Sequence, residues 1–342
     1  MKKKFLGAIA LALATLAFTS CGGGATGSTY AGTFWNKDPI ADVSPIKETL
    51  KYRVSVEGKD GDWGGSKYES ALTFTPDEKH SSYVTELTLS EDGKNYVYTT
   101  TLTISGEYVS GDDRSTVLND TIETRTEFKG FNDGFTPIKS VRTVKSTTPG
   151  INGEKIEYVA TTVYEGTTAT SSVEIHSDNA DAAFKKRAEN DIKVKKYNKK
   201  AYIDNDLMIL MFRNFKYDTS TSYSFRTIDV VSGELKSVTG AIKTKGEQNS
   251  KTSAQTATPT FPYTVKNCSL DGGRTFKDVS FSASEIVFQM TGKFAQTIAK
   301  VYYDNTAGDN KNCRHAPIVI MQPFASIGIL KLTLESAAFG QN

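Results

Sequence analysis

Apolar residues recur at every second position through much of this chain, and that period constrains the fold more than any motif in it. Leu50, Tyr52, Val54 and Val56 alternate with Lys51, Arg53, Ser55 and Glu57. Successive side chains of an extended strand point to opposite faces, so this segment has one dry face and one wet face. The pattern returns at Tyr68 to Phe74, Tyr83 to Leu89, Tyr96 to Ile104, Thr121 to Phe128, Ile138 to Val144, Ile156 to Tyr164 and Thr168 to Ile175. Turn-forming runs lie between them: Gly58-Lys59-Asp60-Gly61, Glu91-Asp92-Gly93-Lys94, Gly111-Asp112-Asp113 and Asn132-Asp133-Gly134. Eight strands joined by short turns predict an antiparallel meander. No repeat of roughly 20 to 50 residues recurs, which argues against solenoids and propellers.

Two segments break the alternation. From Ser177 to Asn190, Ala180, Ala183, Phe184 and Ala188 fall on one helical stripe beneath Lys185, Lys186 and Arg187, with Asp178 placed to cap, and this predicts a small amphipathic helix. The basic run Lys193 to Lys200 alternates with Ile192, Val194 and Tyr197, which favours a solvated strand face over a binding patch. The second break, Tyr202 to Phe215, is solidly apolar from Leu207 to Phe212. Leu and Met are good helix formers, Asp204 or Asp206 can cap the start, and Asn214 can close the end. A short buried helix is the favoured outcome and a core strand the alternative. Beyond it, strands are predicted near Tyr223 to Val230, Leu235 to Ile242, Val279 to Phe281, Glu285 to Met290, Ile298 to Tyr303, Pro317 to Gln322 and Ile327 to Leu334, with a mobile polar loop at Lys245 to Thr258. No linker divides two cores, so residues 46–338 are expected to form a single β-rich domain.

The amino terminus follows different chemistry. Lys2, Lys3 and Lys4 precede an apolar run from Phe5 to Phe18 that is short for a membrane span, and Thr19-Ser20-Cys21 follows. Residues 1–20 therefore read as a secretion signal. Small residues directly before Cys21 resemble the bacterial lipobox, whose cysteine is lipidated and becomes the mature terminus. An ordinary signal peptide followed by a free thiol is the alternative. Residues 21–45 begin with a Gly/Ser/Thr-rich stretch and form a flexible tether. Removal of the three lysines takes the formal net charge from +2 to −1, which leaves no basic field for nucleic acid. The chain is thus expected to be exported and held at a bacterial membrane through the lipid on Cys21.

With Cys21 lipidated, Cys268 and Cys313 remain as a pair in an exported protein, which favours a disulfide over two free thiols. A bridge across that spacing would restrict the unfolded chain by about 4 kcal/mol. His80, His176 and His315 show no metal-ligand spacing, and no nucleophile elbow, P-loop or dinucleotide fingerprint is present. His315 beside Cys313 lacks an orienting third group, and pairs such as Asp112-Asp113 belong to turns. Asp304 to Asp309 has part of a calcium-loop pattern without the remaining ligands. Neither enzymatic activity nor a cofactor is expected.

After residue 200 the order of features resembles the half-barrel lipoprotein-localisation superfamily (LolA/LolB-like), nearest to domain of unknown function 3108. The segment Asp204 to Arg213 matches an Asp-started short helix ending in Arg, with Asn205 where that group has Pro. Val301-Tyr302-Tyr303-Asp304, Arg314, Pro317-Ile318-Val319-Ile320, Gly328 and Leu330-Lys331-Leu332-Thr333-Leu334 match its closing strands. The resemblance implies a mainly β fold: one large curved antiparallel sheet with one or two short helices on its concave face. It also implies a hydrophobic envelope ligand, with Leu207, Leu210, Met211 and Phe212 of the helix and Phe288 of a strand as candidate contacts. The alternative is that these surfaces pack on each other as core, leaving a structural module that binds another envelope protein through a sheet edge.

Overall fold

The computed structural model describes residues 46–57, 60–63, 66–69, 73–110, 113–129, 136–146, 156–177, 180, 182–195, 202–214, 222–228, 235–242, 261–270, 274–290, 296–304, 316–324 and 328–341. Cys21 with the leader and tether, Asp178, the loop at 245–258, Cys313 and His315 lie outside the described residues. The strands are β1 (Ile46–Val56), β2 (Asp60–Trp63), β3 (Ser66–Glu69), β4 (Thr73–Pro76), β5 (Ser82–Leu89), β6 (Tyr96–Ser110), β7 (Asp113–Phe128), β8 (Pro137–Ser146), β9 (Ile156–Glu165) and β10 (Thr168–Ile175). Helix α1 (Ala182–Ala188) precedes β11 (Ile192–Lys195) and β12 (Tyr202–Asp204). A helical segment follows: a 3-10 turn (Asn205–Leu207), α2 (Met208–Met211) and a second 3-10 turn (Phe212–Asn214). The chain continues through β13 (Ser222–Ile228), β14 (Leu235–Ile242), β15 (Phe261–Leu270), β16 (Arg274–Met290), β17 (Gln296–Asp304), β18 (Pro317–Phe324) and β19 (Gly328–Gln341).

Seventeen of these strands form one sheet, and β2–β3 is a separate hairpin. Hydrogen-bonded neighbours run β11, β10, β9, β8, β7, β6, β5, β1, β19, β18, β17, β16, β14, β13, β12. Strand β4 pairs with the far half of β6, and β15 pairs with the first half of β16. Of the predicted eight-strand meander, β5 to β10 follow one another in the sheet, whereas β1 pairs with β5 and β19 and β4 with β6; the pairing is antiparallel apart from two short parallel contacts, β12–β13 and β15–β19. Alternating burial in β9, where Tyr158, Ala160, Thr162 and Tyr164 are buried and the residues between them are not, is the one-dry-face pattern of the sequence.

Several boundaries differ from expectation. The strands predicted at Val279 to Phe281 and Glu285 to Met290 are one strand, β16, because Ser282, Ala283 and Ser284 continue the ladder opposite Pro262, Phe261 and Tyr303. Strand β15 has no clean alternation and carries Pro262, and the sequence did not signal it. Its Cys268 pairs in register with Phe276. The Tyr68 to Phe74 segment divides into β3 and β4, and Asp60-Gly61 belongs to β2 rather than to a turn.

The sheet must curl, for a geometric reason. The helical segment touches β8 through Arg142, β1 through Glu48, β17 through Tyr303 and β16 through Phe288. In sheet order these contacts span β8 to β16, about 38 Å if the sheet were flat at 4.8 Å per step. Ten helical residues extend only about 15–20 Å. One short segment can meet both regions only inside a half-barrel. Gly106 marks a tight point of the curl, at the β6 irregularity where β4 joins. A Cβ there would lie 2.4 Å from the Thr75 carbonyl oxygen and 2.6 Å from the Phe74 ring. Gly106→Ala is therefore expected to destabilise by about 1–3 kcal/mol in urea unfolding.

Candidate functional site

The ladders align inward-facing residues of β1, β5, β6, β7, β8 and β9 into rows. One row runs Leu50, Thr85, Thr100, Thr124, Arg142, Ala160, and its neighbour runs Glu48, Leu87, Tyr98, Thr126, Ser140, Thr162. Both mix apolar residues with hydroxyls, and the hydroxyls pair across strands: Thr100 with Thr124 at 2.7 Å and Thr126 with Ser140 at 2.9 Å. A third row, Tyr52, Tyr83, Leu102, Ile122, Val144, Tyr158, is apolar apart from its phenol oxygens.

The helical segment lies on this face and is clamped at both ends. At its start, the Asp204 carboxylate, one of the two caps the sequence offers, accepts from the Asp206 amide at 2.9 Å, and also from the Ser140 hydroxyl at 2.6 Å and the Tyr164 hydroxyl. Asp206 is ion-paired with Arg142. At its end, Arg213 donates from both terminal nitrogens to Glu48, at 2.6 and 2.7 Å, and both side chains are 1% exposed. Between the clamps Tyr303 donates to the Ile209 carbonyl at 2.8 Å, and Phe212 meets Phe288 edge-on at 4.4 Å. Leu207, Leu210, Met211, Phe212 and Phe288 are brought together, each at most 3% exposed, in one core cluster. The favoured helix is therefore present, and its apolar run packs as core.

Burial sets the electrostatics of the clamps. Desolvation, then the neighbouring Asp206 charge, pushes Asp204 up to about 6, against the lowering effect of the Ser140 and Tyr164 hydrogen bonds. Burial disfavours the Arg213 charge, and Glu48 more than offsets this, so the guanidinium is held protonated. Tyr52 is raised well above the usual phenol range, chiefly by burial; its hydroxyl donates to the Pro317 carbonyl at 2.8 Å.

Helix α1 covers another part of the same face. Phe184 packs edge-on against Tyr158 at 5.0 Å, in a cluster with Ala180, Val144, Ala160 and Val173. Ile122 touches both this cluster and the main core. Along the apolar row Tyr52, Leu102, Val144 and Tyr158 are buried, yet Tyr83 and Ile122 are only half-buried. Two apolar positions of this inner row, on either side of buried Leu102, are thus left partly exposed.

No family model matches the chain, and no curated protein matches it. Among solved structures, a crystal structure of a β-barrel-like protein of domain of unknown function DUF1849 from Brucella abortus is similar at a TM-score of 0.46. The sequences are 8% identical over 85% of this chain and 97% of that one.

Glu48, Ser140, Arg142 and Tyr164, which fix the helical segment, were not among the sequence candidates. A signal was present for two of them. Glu48 shares the parity of Leu50, Tyr52 and Val54, and Arg142 shares that of Val144, so each is a charged residue in a dry row. His80 and His176 are exposed; His80 bonds Asp77 within its turn at 2.6 Å.

Proposed function

We propose that this chain is an exported lipoprotein, held at a bacterial cell envelope through Cys21, whose half-barrel takes a hydrophobic ligand on the inner strip at Tyr83 and Ile122. The partial exposure of these two residues within an otherwise buried apolar row carries the proposal, because an inward row of a fully packed barrel would be dry throughout. The leader sequence and the resemblance to half-barrel lipoprotein carriers support the envelope setting. The contact surface moves from Leu207, Leu210, Met211, Phe212 and Phe288, which are committed to the core, to the strip beside them. Each methylene laid on it would gain about 0.8 kcal/mol.

Protein extracted from membranes is expected to release an apolar small molecule on organic extraction, detected by mass spectrometry. Ile122→Glu, at a half-buried position, is expected to reduce that yield at least tenfold while the melting temperature moves by only a few degrees. Failure of the wild-type protein both to release such a molecule and to bind a fluorescent fatty acid saturably would refute the proposal. The burial of Leu207, Met208, Leu210, Met211 and Phe212 favours a second possibility, a module that presents its outer face or an edge to an envelope protein. Crosslinking to one partner by a ligand-free protein would support it.

A further inference from the structure

We propose that the segment Asn205–Asn214 is a door hinged at its C-terminal end, whose N-terminal end leaves the inner face when the Asp204 carboxyl loses its proton, widening the strip at Tyr83 and Ile122. The part concerning ligand entry rests on the function proposed above; the motion itself does not.

The two clamps differ in charge balance. At the C-terminal end one guanidinium meets one carboxylate, both guanidinium nitrogens are matched to both oxygens, and the pair is neutral. The Tyr303 bond to the Ile209 carbonyl reinforces that end. At the N-terminal end Arg142 is paired with Asp206, and among the described residues the Asp204 carboxylate beside it is met by the Ser140 and Tyr164 hydroxyls and the Asp206 amide, so its ionisation places a second buried negative charge next to Asp206. Hydrogen bonding is also incomplete there. Asp206 Oδ2 is buried without a hydrogen-bond partner, and so is Thr162 Oγ1, next to Ser140 in the ladder. A buried charge without compensation is relieved by protonation or by moving into water.

The groups that face Asp204 fix the direction of the pH effect. Ser140 comes from β8 and Tyr164 from β9, Asp206 lies on the segment itself, and Arg142 of β8 is paired with Asp206. Tyr98 of β6 is raised chiefly by burial, with Asp206 among the smaller causes. On β13 the charged residue is Arg226, in register with Tyr202, and Glu48 with Arg213 closes the far end. The closed state raises the affinity of Asp204 for its proton, from the ordinary 3.8 to about 6. Closure is therefore fully favoured below about pH 4, weakens as the pH rises towards 6, and is least favoured above it.

Hydrogen exchange of the full chain, read by mass spectrometry at pH 5 and pH 7.5 and corrected for intrinsic rates, tests the door without any ligand. Peptides covering 204–208 are expected to open at least tenfold more at pH 7.5, while those covering 209–214 change little. Asp204→Asn keeps the cap and is expected to abolish the difference. Tyr164→Phe, which withdraws a donor from the ionised carboxylate, should enlarge it. Equal change at both ends, no change with pH, or a pH effect that persists in Asp204→Asn would overturn the proposal. Since no ligand is added, these outcomes are separate from a failure of ligand extraction.

Discussion

Replacing Arg213 with alanine is expected to cost about 3–5 kcal/mol of folding stability, read as a fall in the urea midpoint. The size follows from what remains behind. Glu48 is 1% exposed, is held by both guanidinium nitrogens, and sits in the inner row beside Leu87. Without Arg213 its carboxylate must either stay charged in the core or take up a proton. The double variant Glu48→Leu with Arg213→Met removes both charges and keeps most of the apolar volume. It is expected to recover the greater part of the loss, giving a coupling energy of several kcal/mol in the double-mutant cycle. A cost below about 1 kcal/mol for Arg213→Ala would be the behaviour of an exposed pair and would contradict the clamp.

How much of this was legible depended on how local each cause is. The period-two alternation announces strands because it is set by residues two apart, and β5, β9 and β10 fall close to where it places them. The helical segment announces itself by six consecutive apolar residues and a capping Asp, also a local signal. Strand β15 gave none: its neighbours in the ladder are β16 and, in parallel, β19, and the long strand β16 passes through small residues that read as an interruption. The clamps escaped for a related reason. Ser140 and Arg142 lie 64 residues from their carboxylates, and Glu48 lies 165 from Arg213. Only a charged residue in a dry row hinted that a distant partner had to exist. The open strip was less legible still. Tyr83 and Ile122 look like ordinary core positions in sequence, and nothing local marks them as partly exposed.

Leu210→Asp separates a structural plug from a free lid. A lid resting on a finished barrel could accept a carboxylate with little loss of folding, and only ligand retention would suffer. The surroundings of Leu210 point the other way: it is 1% exposed, on the one turn of α2, within the cluster that joins Tyr52, Phe288, Val301 and Leu332. Truncating such a leucine removes about 2–5 kcal/mol, and forcing an unpaired carboxylate into the same space adds several more. Together these rival the roughly 5–15 kcal/mol that holds a typical domain folded. Leu210→Asp is expected to abolish the cooperative unfolding transition and to accumulate as insoluble protein. Opening at the N-terminal clamp does not rescue it, because Leu210 lies beyond Ile209, whose carbonyl is tied to Tyr303 near the hinge. A soluble Leu210→Asp protein with a wild-type midpoint would mean that the barrel stands without its helix, and the sheet would then need another reason to curl.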